Sequence, residues 1–287
     1  RAGPRGFSTI GFLTHVIACP AVVSDGGAAL IGNQAFFSFA AEGCDEELRV
    51  VRFSGSESIS GLFEFRLEIA AATLSLDSLV GKPAVLTIEG MQATRHIHGM
   101  VCEAGYIGES SSYTLYEVSL VPALWRLQQR VGSRIFQQLT TPQILAKVLE
   151  GSGVPRSGFR IEAQASYAPR DYCAQYRESD LDFISRLMED EGMHYYFEHS
   201  EDKHVLVITD RADGGRPIEG EPSLGFTFED GQEHVSRFRL SEGMRPQRVS
   251  LRDKNLHQPD QSMEASEGSG SEREVYDFPG GFQETGK

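Results

Sequence analysis

Two histidines, His96 and His98, have the residue type and the spacing that come nearest to a chemical site in this sequence. They lie two positions apart in a stretch of alternating apolar and polar residues, so both side chains point to one face of a predicted strand. A zinc site needs at least a third protein ligand, and no Cys-His cluster lies near them in the sequence. We therefore expect two histidines on a strand face and no metal site.

Carboxylates are abundant, but a general acid/base pair is defined by distances, which a sequence does not contain. Glu64 and Glu68 alternate with apolar residues, and this pattern favours a solvated strand face. The sequence has no HExxH, no GxSxG and no phosphate-binding glycine loop. We predict no catalytic residue, no cofactor and no metal ligand.

The composition is that of a soluble globular protein. The chain has 287 residues, 40% hydrophobic and 24% charged, which is enough for two domains. Its net charge of −14 argues against a nucleic-acid-binding surface. The cysteines have no CxxC pairing and are expected to be scattered buried thiols of a cytoplasmic protein. They are Cys19, Cys44, Cys102 and Cys173.

Residues 36–122 show the alternation of consecutive half-buried antiparallel strands, which favours a small barrel or sandwich. From Phe63 to Ile69, apolar residues occupy every second position. Further strands are predicted at 84–88, 95–101 and 113–121. The glycines Gly105 and Gly108 and the serines at 110–112 predict a loop before the last of these.

After residue 122 the pattern becomes mixed. Leu124 to Leu127 predicts a short helical piece, and Thr141-Pro142 predicts a helix start, with Gly151 at its end. A second helix is predicted after the cap Ser179, followed by a hairpin. Its apolar stripe is Leu181, Ile184, Leu187 and Met188, with Phe183 beside it. Strands return at Phe226–Phe228 and Phe238–Leu251, and the polar stretch 258–274 is predicted to be an acidic Gly/Ser-rich linker.

Six segments occur in an order that resembles the VgrG family, the trimeric spike hubs of the bacterial type VI secretion system, which are related to contractile-phage tail hubs. The resemblance covers residues 36 to 282 and begins near Phe36. The segments are Arg95–Val101, Ser133–Gln137, Thr141–Leu145, Tyr172–His199, Val249–Asn255 and Tyr276–Gly280.

The resemblance implies an α+β, mainly β fold. Residues 36–122 would be a first tube-like antiparallel β-barrel, 123–212 a middle α+β hub segment, and 213–287 the start of a second, incomplete tube-like domain. Residues 1–35 would be an extension of unclear role. Because Ile10 to Val23 is an apolar run after Arg1 and Arg5, a secretory signal is the alternative there.

The resemblance also implies a non-enzymatic role as a homotrimer. Three chains with two barrels each would seat on the hexameric ring of the tube protein Hcp. Baseplate and effector proteins would be further partners, without nucleic acid or a membrane anchor. The protein would be cytoplasmic during assembly and then expelled to the extracellular space or a target cell.

Three other functions stay open from the sequence. A phage or prophage tail hub would share the fold. A hydrolase would have to assemble its site from distant residues, with His96, His98 and Glu64 as the candidates to test. A carbohydrate-binding β-module would use tyrosines, but the tyrosines of this chain are predicted to pack within strands.

Overall fold

The computed structural model describes residues 36–89, 94–109, 113–200, 202–211, 243–255, 258–280 and 282. One compact unit contains the described residues up to 211, and a second contains those from 243 onward. None of the described helices is long and apolar enough to cross a membrane. The strands of the first unit are β1 (Phe36–Ala41), β2 (Arg49–Ser56), β3 (Glu64–Ala71), β4 (Pro83–Glu89), β5 (Thr94–Glu109), β6 (Thr114–Val121), β7 (Val131–Phe136), β8 (Phe159–Glu162), β9 (Cys173–Ser179), β10 (His194–His199) and β11 (His204–Thr209).

The first six strands form one antiparallel sheet in the order β1-β4-β5-β6-β3-β2. This sheet curls, so that its two outer strands approach each other and the ring of Phe37 lies edge-on to that of Phe53, with centroids 5.1 Å apart. The concave side encloses a core that includes Phe65, Leu86 and Val118. The prediction of a mainly β fold is confirmed, and the described strands make a curled half-barrel.

The alternation predicted for β3 is present: Phe65, Leu67 and Ile69 are buried, whereas Arg66 is exposed. The loop predicted at Gly105 and Gly108 is wrong. Both glycines lie inside β5, which continues to Glu109 opposite β6. The register shifts before Glu103 and before Gly108 mark bulges. Glycine is tolerated there because a bulge bends the strand without ending it.

Gly99 and Gly105 lie in the same strand and allow a matched test of close packing. A Cβ at Gly99 would lie 2.5 Å from the carbonyl oxygen of Val121 and 2.9 Å from a methyl of Leu120, whereas a Cβ at Gly105 meets nothing within 4 Å. We expect Gly99→Ala to lower the free energy of unfolding by about 1–3 kcal/mol through overpacking. Gly105→Ala is expected to change it by less than about 0.5 kcal/mol. Chemical denaturation compares the two, and equal effects would contradict the packing.

Residues 123–211 build a second core of helices and short strands. The helices are α1 (Thr141–Gly151) and α2 (Asp180–Asp190), and two short 3-10 turns occupy Ala123–Gln129 and Arg156–Gly158. A further 3-10 turn, Leu76–Ser78, lies between β3 and β4 of the curled sheet. Strand β8 pairs in parallel with β11, β11 pairs antiparallel with β10, and β7 pairs with β9. The apolar faces of both helices meet in this core, with Ile144, Val148 and Leu187 fully buried.

The N-cap of helix α1 lies one residue earlier than the sequence predicts. Thr140, not Thr141, is the cap: its hydroxyl accepts from the Gln143 N–H, and the Gln143 side chain accepts from the Thr140 N–H. Thr141 is instead buried, and its hydroxyl donates to Glu191 at 2.7 Å. Two consecutive threonines give the same sequence signal, and only packing distinguishes them.

The second unit is a three-stranded sheet, and it corrects the linker predicted at 258–274. Its strands are β12 (Arg248–Asp253), β13 (Met263–Gly268) and β14 (Glu274–Asp277), in the order β13-β12-β14. Strand β13 pairs antiparallel with β12 along its whole length. Only Met263 of β13 is buried, so hydropathy does not reveal it as a strand. Backbone hydrogen bonds hold it at the sheet edge.

Some predictions lie outside the described residues. These are the extension 1–35, the strand at Phe226–Phe228 and the start of the strand at Phe238. The domain limits at 122 and 212 stay predictions. Residues on either side of 122 contribute to two different cores, but Phe197 packs against both.

Candidate functional site

The residues singled out for chemistry do not converge on one site. The ring of His96 shares a 3.2 Å hydrogen bond with the hydroxyl of Thr87. Glu64 is paired with Arg66 at 2.9 Å, and Glu68 with Arg52 at 2.6 Å. Within the described ranges, no group of three or more His, Cys, Asp or Glu side chains is arranged to hold a metal ion. The rings of His96 and His98 lie 6.4 Å apart, and the two glutamates are each paired with an arginine.

The segment 172–199 forms the predicted strand, capped helix and strand. The Ser179 hydroxyl accepts from the Asp182 N–H at 3.0 Å and donates to the Asp182 carboxylate at 2.7 Å, so the predicted cap is confirmed. The buried side of α2 differs in one respect from the apolar stripe that the sequence predicts. Phe183 is fully buried, whereas Leu181 is only half-buried.

Asp180, the first residue of α2, is the residue that sequence reasoning missed. Its side chain is 1% exposed and is held by four partners. Gln175 and Ser152 each donate to it at 2.8 Å, Arg134 forms a charged hydrogen bond with it, and Arg130 lies 3.5 Å away. The network joins β7, β9 and the end of α1 to the start of α2. An acidic residue directly after a serine cap does not reveal this burial. The same sequence occurs where the acid is exposed and only interacts favourably with the helix dipole.

Two more ion pairs fix the ends of the same segment. The Glu191 carboxylate accepts hydrogen bonds from the Arg170 guanidinium at 2.7 Å and from the Thr141 hydroxyl. Arg186 binds Glu178 with two nitrogens at 2.7 and 2.9 Å, and this hydrogen bonding lowers the pKa of the Glu178 carboxyl. The segment is thus a scaffold fastened by side-chain pairs on several elements.

The curled sheet and the α+β segment meet at a surface that we call the junction. It consists of Ser60, Phe63 and His98 on the sheet side and of β10 and β11 on the other. Phe63 is 1% exposed, and its ring centroid lies 5.1 Å from that of Phe197 and 5.2 Å from that of His199. The Ser60 N–H donates to the Tyr195 carbonyl at 2.8 Å. The junction therefore has an aromatic centre and a backbone hydrogen bond at its rim.

Two histidines that the sequence analysis did not select also lie in the junction. The backbone N–H of His98 donates to Nδ1 of His199 at 3.1 Å, and the N–H of Ala123 donates to Nε2 of His204 at 3.4 Å. Burial is the main cause that lowers the pKa of His199 to about 3 and that of His204 to about 4. Neighbouring His98 adds to both shifts. Both rings are therefore neutral acceptors near neutral pH.

An apolar ribbon is exposed on β7 and β9. Val131, Ile135 and Tyr176 are 67%, 61% and 69% exposed. Arg177, which follows in β9, lies with its guanidinium carbon 5.4 Å from the Tyr176 ring centroid. Tyr176 pairs with Ser133, which lies between Val131 and Ile135 in β7. Large apolar side chains grouped in water are typical of interaction surfaces.

The fold defined by this curled sheet and its α+β segment is that of contractile-tail hub proteins. It is similar to the structure of the E. coli c3393 protein, a component of the type VI secretion system with structural similarity to the T4 bacteriophage tail proteins gp27 and gp5. The TM-score is 0.59 at 24% identity, over 62% of this chain and 50% of that one. The chain belongs to the phage tail baseplate hub (GPD) family, whose model matches residues 56–287.

Curated relatives agree with this membership. The chain is 36% identical over 262 residues to the type VI secretion system spike protein VgrG4b of Pseudomonas aeruginosa, covering 87% of this chain and 32% of that protein. It is 38% identical over 192 residues to the actin cross-linking toxin VgrG1 of Vibrio cholerae, covering 62% of this chain and 17% of that protein. The resemblance to VgrG proteins is confirmed. The chain spans about a third of the length of the first relative.

Proposed function

We propose that this chain is part of the trimeric spike hub of a type VI secretion system. Three copies, each supplying two β-barrels, would present six barrels to the sixfold ring of the Hcp tube. Because a heterologous interface closes only when rotation and subunit number agree, a threefold hub needs two similar barrels per chain to match six. Baseplate proteins would surround the hub, and effectors would be expelled with it. Assembly would take place in the cytoplasm, before release to the outside or into a target cell.

The observation that supports this function best is the curled antiparallel sheet in a chain of the hub family. Its outer strands are brought together by the contact between Phe37 and Phe53. The sheet is fastened to the α+β segment by the packing of Phe63 against Phe197 and by the hydrogen bond from Ser60 to Tyr195, and such a fixed connection suits a part that transmits force. The exposed ribbon of Val131, Ile135 and Tyr176 adds an apolar surface for a protein partner.

The mass of the complete protein tests the trimer. We expect light scattering after size exclusion to give three times the chain mass, with no change on dilution through the micromolar range. A protein with a complete second barrel that remains a stable monomer would contradict the proposal. The control is the same protein with Phe63→Ala, in which loss of the trimer would show that an intact junction is needed for assembly.

A phage or prophage tail hub is the second candidate, and the family description of a phage tail baseplate hub favours it. It would share the fold and differ in the tube on which it sits. Binding to purified Hcp separates the two functions, because a phage hub is expected to bind its own tube protein and not Hcp. Genes for sheath, tube and ATPase beside this gene favour secretion, whereas capsid and terminase genes favour a phage.

We propose no enzymatic activity for this chain. The toxin named among its relatives is a longer protein, of which this chain covers 17%, so that activity is stated only of the relative. An undetected hydrolase would lose activity on alanine substitution of His96, His98 or Glu64. We expect these three variants to retain the assembly behaviour of the wild type.

A further inference from the structure

The junction contains a pair of imidazoles that nothing in the hub function uses. His199 ends β10 and His204 begins β11, so the two face each other across the hairpin, with ring centroids 5.9 Å apart. Each accepts a hydrogen bond from a backbone N–H outside the hairpin: His98 in β5 for His199, and Ala123 for His204. The pair therefore holds the hairpin to two different elements.

Both hydrogen bonds require a neutral ring. The nitrogen that accepts from a backbone N–H is the nitrogen that a proton would occupy, because protonated histidine is a donor at both positions. The second nitrogen of His199, Nε2, is also shut off from solvent and has no hydrogen-bond partner among the residues that the structure describes. A proton on His199 would therefore replace an accepted hydrogen bond by two N–H groups facing each other.

The surroundings add to the cost of a positive charge. Arg95, His98 and His204 face His199, and His98 faces His204. Arg95 is itself paired with Glu57. The ring of Phe63 lies against both His199 and His204, and the ring of Phe197 lies against His204. In the hairpin turn, Asp202 and Lys203 are exposed to solvent.

We propose that His199 and His204, with the amides of His98 and Ala123, form an acid-sensitive latch that releases the β10–β11 hairpin from the curled sheet when both rings become cationic. At neutral pH the two rings accept and hold the junction closed. In acid, each ring repels the amide that it had accepted from, and the two cations repel each other across the hairpin. The contacts of Ser60 with Tyr195 and the packing of Phe63 oppose release, so the latch sets the pH at which the junction opens.

The direction of the pH effect follows from the depressed pKa values. The histidines have pKa values of about 3 and about 4 in the closed state, against roughly 6.5 when exposed. The stabilisation of the closed state is therefore complete above about pH 6.5 and is lost as the pH falls from there toward about 4 for His204 and about 3 for His199. Each histidine is expected to favour opening by roughly tenfold per pH unit in this window.

Amide hydrogen exchange tests the latch on the intact chain. Protection factors of the His98 and Ala123 amides, corrected for intrinsic exchange, are measured at pH 7.5 and 5.0. We expect both to fall by roughly 1000-fold at pH 5.0, about 30-fold from each histidine, while those of Ile184 and Leu187 in α2 fall much less. The fluorescence of Trp125, the one tryptophan of the chain and two residues from Ala123, gives a second signal.

Isosteres that do not titrate separate the latch from general acid effects. Asn at 199 places an amide oxygen near the position of Nδ1, and Gln at 204 does the same for Nε2, so both keep an acceptor. We expect His199→Asn with His204→Gln to abolish the acid loss of protection at the two amides, and each single variant to remove about half of it on a logarithmic scale. Circular dichroism checks folding, and the single variants serve if the double variant does not fold.

His194→Asn is the matched control, since His194 lies at the other end of β10 and its pKa is also lowered by burial. It is expected to keep the full acid response at both amides. The proposal is overturned if the wild-type amides keep their protection at pH 5.0. It is equally overturned if the folded double or single variants lose protection as the wild type does.

Discussion

Asp180→Ala is expected to lower the free energy of unfolding by about 2–4 kcal/mol, because it leaves the buried Gln175 amide, the Ser152 hydroxyl and the partly exposed Arg134 without their partner. Arg134 loses its charged hydrogen bond, and Ser152 and Gln175 each lose an acceptor at 2.8 Å. The carboxylate is 1% exposed, so water has little access to replace it. Guanidinium denaturation followed by circular dichroism measures the loss.

Two variants separate the network from the general effect of losing a carboxylate. Asp190→Ala removes an exposed acid from the other end of α2 and is expected to change stability by less than about 0.5 kcal/mol. Asp180→Asn keeps the shape and should fall between the two, because it retains one acceptor oxygen. An Asp180→Ala protein within about 1 kcal/mol of the wild type would show that the network does not hold the α2 start.

Phe63→Ala is expected to cost about 3–5 kcal/mol by opening a cavity in the junction. The ring is 1% exposed and is in edge or tilted contact with Phe65, Phe197, His199 and His204. Because Phe65 belongs to the curled sheet and the other three to the β10–β11 hairpin, the walls of the cavity come from separate elements. Differential scanning calorimetry checks the loss and reveals whether the two cores then unfold separately.

Phe36→Ala is the matched control, since Phe36 begins β1 of the curled sheet and is 66% exposed. We expect a change of less than about 0.5 kcal/mol. Phe63→Leu keeps most of the apolar volume and should lose less than Phe63→Ala. Equal losses for Phe63→Ala and Phe36→Ala would contradict a junction centred on Phe63.

Local periodicity and capping were predictable because they depend on neighbours in the sequence. The alternation around Phe65 gave β3, and Ser179 with Asp182 gave the start of α2. The hairpin after α2 was predictable from two apolar runs with a polar turn between them. The polar strand β13 was not, because its pairing with β12 uses backbone groups that every residue carries.

The candidate site was less predictable, because its members lie far apart in the sequence. The two histidines selected for their spacing have separate roles: His96 binds Thr87, and His98 contributes its backbone N–H to His199, 101 positions away. Asp180 meets Arg134 across 46 positions. No local pattern distinguishes a buried acid with distant cationic partners from an exposed helix-capping acid.

The family resemblance supplied what single residues did not, since it rests on the order of several segments. It predicted that the chain belongs to the hub family, and the match of the family model over residues 56–287 confirms this. The number of barrels and of copies belongs to the proposed function.

Electron microscopy of the complete protein tests the hub most directly. Class averages viewed along the particle axis should show three copies around one axis and six barrel densities in a ring that matches the Hcp hexamer. Particles with a single chain, or an assembly of twofold or fourfold symmetry, would contradict the account.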